Sequence, residues 1–171
     1  MARTARKQKP KARESVERLF LKYAFPCTFV IRQRGQVDDE TFAKLERAAL
    51  EGRKVGRTVL ERVYKKAFAR LRKVAKGLKE KGYWSERVVR EYFLRRHNGM
   101  IAGDEDYRNA PKVLRELCKV VTAKVLEKGE GFLVVAYGKG KIRTVGSVFV
   151  PEAKIGDKVT IHYGYAVEVM V

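Results

Sequence analysis

Cysteine, proline and long apolar stretches are all scarce in this 171-residue sequence. Its two cysteines, Cys27 and Cys118, are too few for a disulfide framework or for a four-cysteine zinc site. No apolar run approaches the ~18 residues of a membrane-spanning helix, and no apolar segment of a secretory signal follows the basic first residues. These absences argue against a secreted disulfide scaffold and a membrane protein. We therefore expect a cytoplasmic protein with no membrane partner.

The signatures of several enzyme classes are also absent. The sequence has no Ser-His-Asp triad signature, no H-E-x-x-H zinc motif and no glycine-rich dinucleotide fingerprint. The string YGKGK, from Tyr137 to Lys141, lacks the spacing and the strand–loop–helix setting of a P-loop, so it indicates a hairpin turn. We therefore expect a non-enzymatic accessory protein with no certain cofactor.

Positive charge is abundant and lies almost entirely in the first part of the chain. The formal net charge is +19, of which residues 1–98 contribute +17 and residues 99–171 only +2. Because so large a charge repels itself in a folded chain, it suggests a polyanionic or an acidic protein partner. Helical periodicity gives way to glycine-separated β-branched runs near Asn98–Gly103, which indicates two domains.

The predicted organisation is α+β, with a basic helical domain before a small barrel. Residues 1–13 are basic and poor in large apolar groups, so we expect a disordered arm. The helical basic domain is predicted for 14–98, a linker for 99–114 and the barrel for 115–171. Apolar spacing and capping residues predict helices near 14–25, 26–34, 39–51, 58–79 and 85–97.

The second half contains five short β-branched or aromatic runs separated by turn residues. Strands this short suit a closed five-stranded barrel of the OB or SH3-like kind, because closure removes exposed strand edges. The runs span 117–127, 131–137, 141–149, 158–163 and 166–170, and the predicted barrel core includes Val121, Val125, Val134, Val159, Ile161 and Val167.

The same half carries a string of residues that follows a known pattern, V-P-x-x-x-x-G-D-x-V-x-V-H-x-G-x-A-I-E, at most of its positions. The matching positions are Val150, Pro151, Gly156, Asp157, Val159, His162, Gly164, Ala166 and Glu168. Together with Leu117-Cys118 and the following KVVTAKV, this string resembles the small hydrogenase-maturation chaperones of the HypC/HupF family. The resemblance covers about 55 of the 171 residues.

This resemblance implies both a fold and a function. Members of the family carry an iron–cyanide–carbonyl group during assembly of nickel–iron hydrogenases, and they pass it between a scaffold protein and the hydrogenase precursor. The implied role is a metallocentre-assembly chaperone whose partner is such a scaffold or precursor, with iron as the metal involved. The family's cysteine and histidine fall on Cys118 and His162, although the family cysteine is N-terminal and Cys118 follows 117 residues.

Strand alternation predicts where these two side chains point. Val159 and Ile161 are predicted to point into the barrel, so His162, next to Ile161, points outward. Val121 is also predicted to point inward, and Cys118, three residues before it, therefore points outward as well. They could meet across a barrel seam as a metal or thiolate site. The alternative is that each is incidental, with Cys118 packed against the helical half.

The other cysteine and the other histidine have structural interpretations. Cys27 follows Pro26 within an apolar stretch, where a buried structural thiol is expected. His97 closes the fifth predicted helix, where a histidine is favourable to the helix dipole.

The fourth predicted helix carries an unbalanced basic face. Residues 53–81 have a net charge of +10, whereas surface helices usually balance their charges in i, i+4 pairs. Phosphate contacts are the simplest use for such a face, which makes nucleic-acid binding the alternative function. Docking of an acidic protein, or solubility alone, would also explain it. The predicted contact residues are Arg62, Lys65, Lys66, Arg70, Lys73 and Lys76, with Trp84 as a stacking surface, and the acidic cluster 104–106 is expected to be solvated.

Overall fold

The protein folds as a set of packed helices followed by a closed five-stranded barrel, which confirms the predicted α+β class. The structure is a computed structural model that describes residues 14–170. The predicted basic arm, residues 1–13, lies outside the described residues. The helices are α1 (Val16–Ala24), α2 (Thr28–Gln33), α3 (Asp39–Glu51), α4 (Arg57–Val63), α5 (Lys65–Gly77), α6 (Glu86–Glu91), α7 (His97–Ala102), α8 (Glu105–Arg108) and α9 (Lys112–Leu117).

Three of the helices begin at capping side chains, and those of α3 and α6 stand at the predicted helix starts near 39 and 85, whereas the first helix is predicted to begin near 14. The side chains of Ser15, Asp38 and Ser85 each accept a hydrogen bond from a backbone N–H in the first turn of α1, α3 and α6. A 3-10 turn, Phe25–Cys27, joins α1 to α2 around Pro26, and a π-helical turn, Tyr92–Arg96, joins α6 to α7.

The predicted long helix 58–79 is divided in two by Tyr64. This residue leaves helical geometry at φ −101 and ψ 43, so α4 ends at Val63 and α5 begins at Lys65. The Tyr64 side chain is buried, its hydroxyl lies 2.5 Å from that of Thr28, and its ring packs edge-on against Phe20. The break therefore keeps the apolar sides of both helices on one shared core.

The predicted linker 99–114 is helical over much of its length. It contains the last part of α7, all of α8 and the beginning of α9. Asp104 begins α8, because its side chain accepts a hydrogen bond from the backbone N–H of Asp106.

The barrel closes in the strand order β1-β2-β3-β5-β4. Neighbouring strands are antiparallel except β3 and β5, which meet in parallel at Gly146 and Tyr165. Of the predicted core, Val125, Val159 and Ile161 fill the barrel and Val121 packs against it. The strands are β1 (Val121–Gly129), β2 (Phe132–Tyr137), β3 (Lys141–Gly146), β4 (Lys158–His162) and β5 (Tyr165–Met170).

Two predicted core residues of the barrel lie elsewhere. Val134 is on the outer face, because Leu133 and Val135 are the residues of β2 that point inward. Val167 is fully buried, but it belongs to the core of the helical part together with Val120 and Phe149. The helices therefore pack directly on the outside of the barrel and share an apolar core with it.

Candidate functional site

Cys118 and His162 lie side by side where the helical part meets one end of the barrel. Cys118 follows α9 and precedes β1, while His162 is the last residue of β4. Pairing of Val121 with Ile161, and a 2.9 Å hydrogen bond from the Tyr163 N–H to the Leu117 carbonyl, bring the two segments together. His162 Nε2 lies 3.0 Å from the Cys118 carbonyl oxygen. We call this region, formed by Leu117, Cys118, His162 and Tyr163, the Cys118 end of the barrel.

The thiol of Cys118 is half-buried and contacts a tyrosine rather than the imidazole. Its Sγ lies 2.8 Å from the hydroxyl oxygen of Tyr163. Burial raises the pKa of the Cys118 thiol, and the hydrogen bond with Tyr163 opposes that rise only in part. The sulfur is therefore a protonated thiol at neutral pH.

His162 points outward from the barrel, as strand alternation predicts, but it is fully buried. The end of α1 covers it, and its Nδ1 lies 2.7 Å from the Tyr23 carbonyl oxygen. Burial lowers the pKa of His162 to about 4, which the two carbonyl contacts oppose and the charge of Arg143 reinforces. The imidazole is therefore neutral near pH 7.

Cys27, which was interpreted as a structural thiol, is a third member of this cluster. Its Sγ is 3.7 Å from His162 Nε2, and the His97 ring centroid is 5.3 Å from that of His162. Both cysteines and both histidines of the chain are thus gathered at one junction. No periodic pattern in the sequence predicts this cluster. Cys27 lies in the 3-10 turn after α1, and it comes near β4 only because the helices pack on the barrel.

The cluster does not fit a resident metal ion. Both ring nitrogens of His162 lie against carbonyl oxygens, Nδ1 against that of Tyr23 and Nε2 against that of Cys118, so neither faces an open position for a metal. Within residues 14–170, no group of three or more His, Cys, Asp or Glu side chains is arranged to hold a metal. The iron that the family resemblance implies has no ready site in this arrangement.

Glu168, another residue of the matched string, joins the barrel to the helices. The Tyr23 hydroxyl donates to its Oε2 at 2.7 Å, and Arg90 donates to its Oε1 at 3.0 Å. Thr160 completes the contact, 3.1 Å from the Tyr23 hydroxyl. Two positions of the string, His162 and Glu168, therefore hold the helical part against the barrel.

The predicted basic stripe is interrupted by acidic residues. Arg70 and Lys66 form ion pairs with Asp104, at 2.9 and 3.2 Å, and Lys66 also pairs with Asp106 at 2.8 Å. The Arg70 side chain is only 18% exposed, so the acidic cluster expected to be solvated covers the middle of the stripe. The remaining predicted contacts are exposed and form no ion pair within the described residues; they are Arg62, Lys65, Lys73 and Lys76.

Trp84 is a packing residue in this structure. Its ring stacks on Phe68 with centroids 4.9 Å apart, and its indole N–H donates to Glu17 at 2.9 Å. The side chain is half-buried against the helical core. Little of its ring surface is left for a nucleic-acid base.

A surface groove of about 1090 Å³ lies away from the Cys118 end of the barrel. It runs between α1, the segment 52–56 and the segment 148–152, and it contains neither cysteine. Within residues 14–170, none of the helices has both the length and the apolar character needed to cross a membrane. Comparison with models of known protein families finds no match, and neither does comparison with curated proteins.

Proposed function

We propose that this protein is a non-enzymatic, cytoplasmic accessory protein that binds a protein partner at the Cys118 end of its barrel. The proposal follows the resemblance to the HypC/HupF chaperones, whose partners are a maturation scaffold and a hydrogenase precursor. The observation that carries it is the 3.0 Å contact between His162 Nε2 and the Cys118 carbonyl, since these two residues are distant in sequence and are the ones the resemblance singles out.

The surrounding residues give Cys118 a defined position for such a contact. Tyr163 holds the sulfur through its hydroxyl, and His162 lies against the carbonyl of the same residue. Burial keeps the thiol protonated, which suits recognition by a partner better than nucleophilic chemistry. Because His162 is enclosed by α1, the partner would meet Cys118 and Tyr163 first.

The test is affinity capture with the tagged full-length chain, followed by mass spectrometry. We expect the native protein to retain a hydrogenase large-subunit precursor or its maturation scaffold, with or without nuclease treatment. Cys118→Ser should lose that partner, while the matched control Cys27→Ser should keep it. Thermal melts establish that both variants are folded. Equal capture by native protein and Cys118→Ser, or loss of capture on nuclease treatment, would contradict the proposal.

Nucleic-acid binding is the second candidate, favoured by the exposed cations of α4 and α5. Four of the predicted contact residues have no ion-pair partner within the described residues; they are Arg62, Lys65, Lys73 and Lys76. If each contacts a phosphate, about 4 counterions are released, and the log–log salt slope is about −3.6 on duplex DNA and about −2.8 on single strands.

Fluorescence titration with short RNA and DNA measures that slope. Changing the four residues to Gln should flatten it, with little change in Tm because the side chains are exposed. A control of equal charge loss, with Lys124, Lys139, Lys154 and Lys158 changed to Gln on the barrel, should retain most of it. Absence of binding at low salt would exclude this function.

A further inference from the structure

Arg143 occupies a position on β3 that points into the barrel. It shares a face with Val145, which is 2% exposed, and it pairs with Val135 of β2, which is fully buried. Both valines belong to the barrel core. An arginine therefore stands in a row of core side chains, at the end of the row nearest Tyr137.

This position is at the Cys118 end of the barrel. Tyr137 pairs with both Lys141 of β3 and Ala123 of β1, so β3 begins at the same end of the barrel as β1. Lys141 donates a hydrogen bond to Glu116 of α9 at 3.0 Å, and the positive charge of Arg143 lowers the pKa of His162. Arg143 is thus a neighbour of the proposed partner-binding region.

The guanidinium of Arg143 has no hydrogen-bond partner among the described residues. Its Nε and Nη2 atoms are buried, and they are the buried side-chain nitrogen or oxygen atoms within residues 14–170 that lack a partner. The ring of Tyr137 lies 4.9 Å from its Cζ, a cation–π contact worth about 0.5–2 kcal/mol. Unsatisfied buried donors on a charged group cost at least a similar amount, so this arginine does not serve the stability of the barrel.

No carboxylate of the described chain neutralises this charge. Glu116 of α9, which contacts the same strand, is already engaged by Lys119 and Lys141 at 2.9 and 3.0 Å. The residue as a whole is only half-buried and Nη1 is not among its buried atoms, so this end of the guanidinium reaches the surface. Exposed or half-buried guanidinium groups of this kind pair with carboxylates through two parallel hydrogen bonds.

We propose that Arg143 binds a carboxylate of the protein partner that docks at the Cys118 end of the barrel. This inference rests on the proposed function and adds the chemistry of the partner, an acidic side chain or a chain terminus placed beside Cys118 and Tyr163. The net charge of +19, of which +17 lies in residues 1–98, attracts an acidic partner to the protein as a whole. The carboxylate would accept from the Nη1 end of the guanidinium, which is not among its buried atoms.

The inference predicts opposite effects on stability and on binding. Arg143→Met removes the buried donors and keeps an apolar side chain of similar length, so the Tm of the free protein should stay the same or rise. Partner capture should weaken about tenfold, as expected for the loss of a charged hydrogen-bonded pair. Arg143→Lys keeps the charge but cannot form two parallel hydrogen bonds, so its partner capture should be intermediate between that of the native protein and that of Arg143→Met.

Nuclear magnetic resonance of the arginine Nε–H groups of the full chain tests the site without the partner. The Arg143 signal, assigned by its loss in Arg143→Met, should shift saturably with sodium acetate and not with sodium chloride at equal ionic strength. The same shift with chloride, or none with acetate, would overturn the proposal and leave water as the partner of the guanidinium. A stronger response to inorganic phosphate than to acetate would also overturn it, because the site would then select phosphate.

The capture experiment separates this inference from the function on which it rests. If Cys118→Ser loses the identified partner but Arg143→Met retains it fully, the carboxylate site is wrong and the function stands. If acetate binds at Arg143 but the native protein captures no maturation partner, the site stands and the proposed function is wrong. A large fall in the Tm of Arg143→Met would also refute the inference, since the guanidinium would then be structural.

Discussion

The hydroxyl of Tyr23 on α1 donates a 2.7 Å hydrogen bond to the carboxylate of Glu168 on β5. The two residues are 145 positions apart, and the same carboxylate accepts from Arg90 of α6. Burial and the adjacent carboxylate both raise the pKa of Tyr23, so the phenol stays protonated and keeps donating. This contact holds α1 against β4 and β5, and α1 is the helix that covers His162.

Tyr23→Phe is expected to lower the free energy of unfolding by about 1–3 kcal/mol. The change removes one donor and leaves the buried Thr160 hydroxyl and the Glu168 carboxylate short of a partner. Urea denaturation measures the loss. Tyr165→Phe is the matched control, since that hydroxyl makes no hydrogen bond within the described residues, and its effect should stay within about 0.5 kcal/mol. Equal losses in the two variants would show that Tyr23 contributes only packing.

Stability should fall as the pH drops below about 6.5. Burial lowers the pKa of His97 to about 3 and that of His162 to about 4, whereas an unfolded histidine titrates near 6.5. The unfolded state therefore takes up protons that the folded state excludes, and each histidine contributes a slope of up to about 1.4 kcal/mol per pH unit.

Urea denaturation between pH 7.5 and about 5 checks this slope, in a range where most carboxylates are still ionised. His97→Gln should keep only part of it, because His162 is then the one histidine left in the chain. An unfolding free energy that is flat over this range in the native protein would show that the two rings titrate at about 6.5 in the folded state as well, and that burial does not lower their pKa.

Asp104→Asn should destabilise the protein by about 1–2 kcal/mol. It breaks the ion pair with Arg70, in which both side chains are less than one-fifth exposed, while asparagine still caps α8. Glu105→Gln is the control, because Glu105 is exposed and forms no ion pair within the described residues. Thermal melts at low and high salt compare the fall in Tm of Asp104→Asn with that of Glu105→Gln. If the alternative function holds, the freed Arg70 should also increase affinity for RNA or DNA, while Lys66 stays paired with Asp106.

Both thiols should react slowly with iodoacetamide at neutral pH, and Cys27 more slowly than Cys118. Burial raises the pKa of both, by more at Cys27, and the thiolate is the reactive form. Mass spectrometry of Cys27→Ala and Cys118→Ala follows each remaining thiol separately. Alkylation of Cys118 as fast as that of an unstructured peptide thiol would mean that the Tyr163 contact does not persist in solution.

Local patterns in the sequence were sufficient for the elements of the fold. The capping residues Asp38 and Ser85 locate two helix starts, and the alternation around Val159 and Ile161 places His162 on the outer face of β4. The break at Tyr64 was not predictable, because the apolar spacing of 58–79 is compatible with one continuous helix. It depends on the buried contact with Thr28 in another helix.

The sequence by itself determined the α+β organisation, the strand boundaries to within a few residues and the outward direction of His162, since periodicity and capping act over a few neighbouring residues. Only the tertiary structure decided that α1 encloses His162, that Cys27 joins Cys118 beside it and that Asp104 neutralises Arg70. Each of these contacts joins residues more than 30 positions apart. Such contacts follow from how the helices pack on the barrel, because burial of the shared core, and not any local pattern, sets which distant side chains meet.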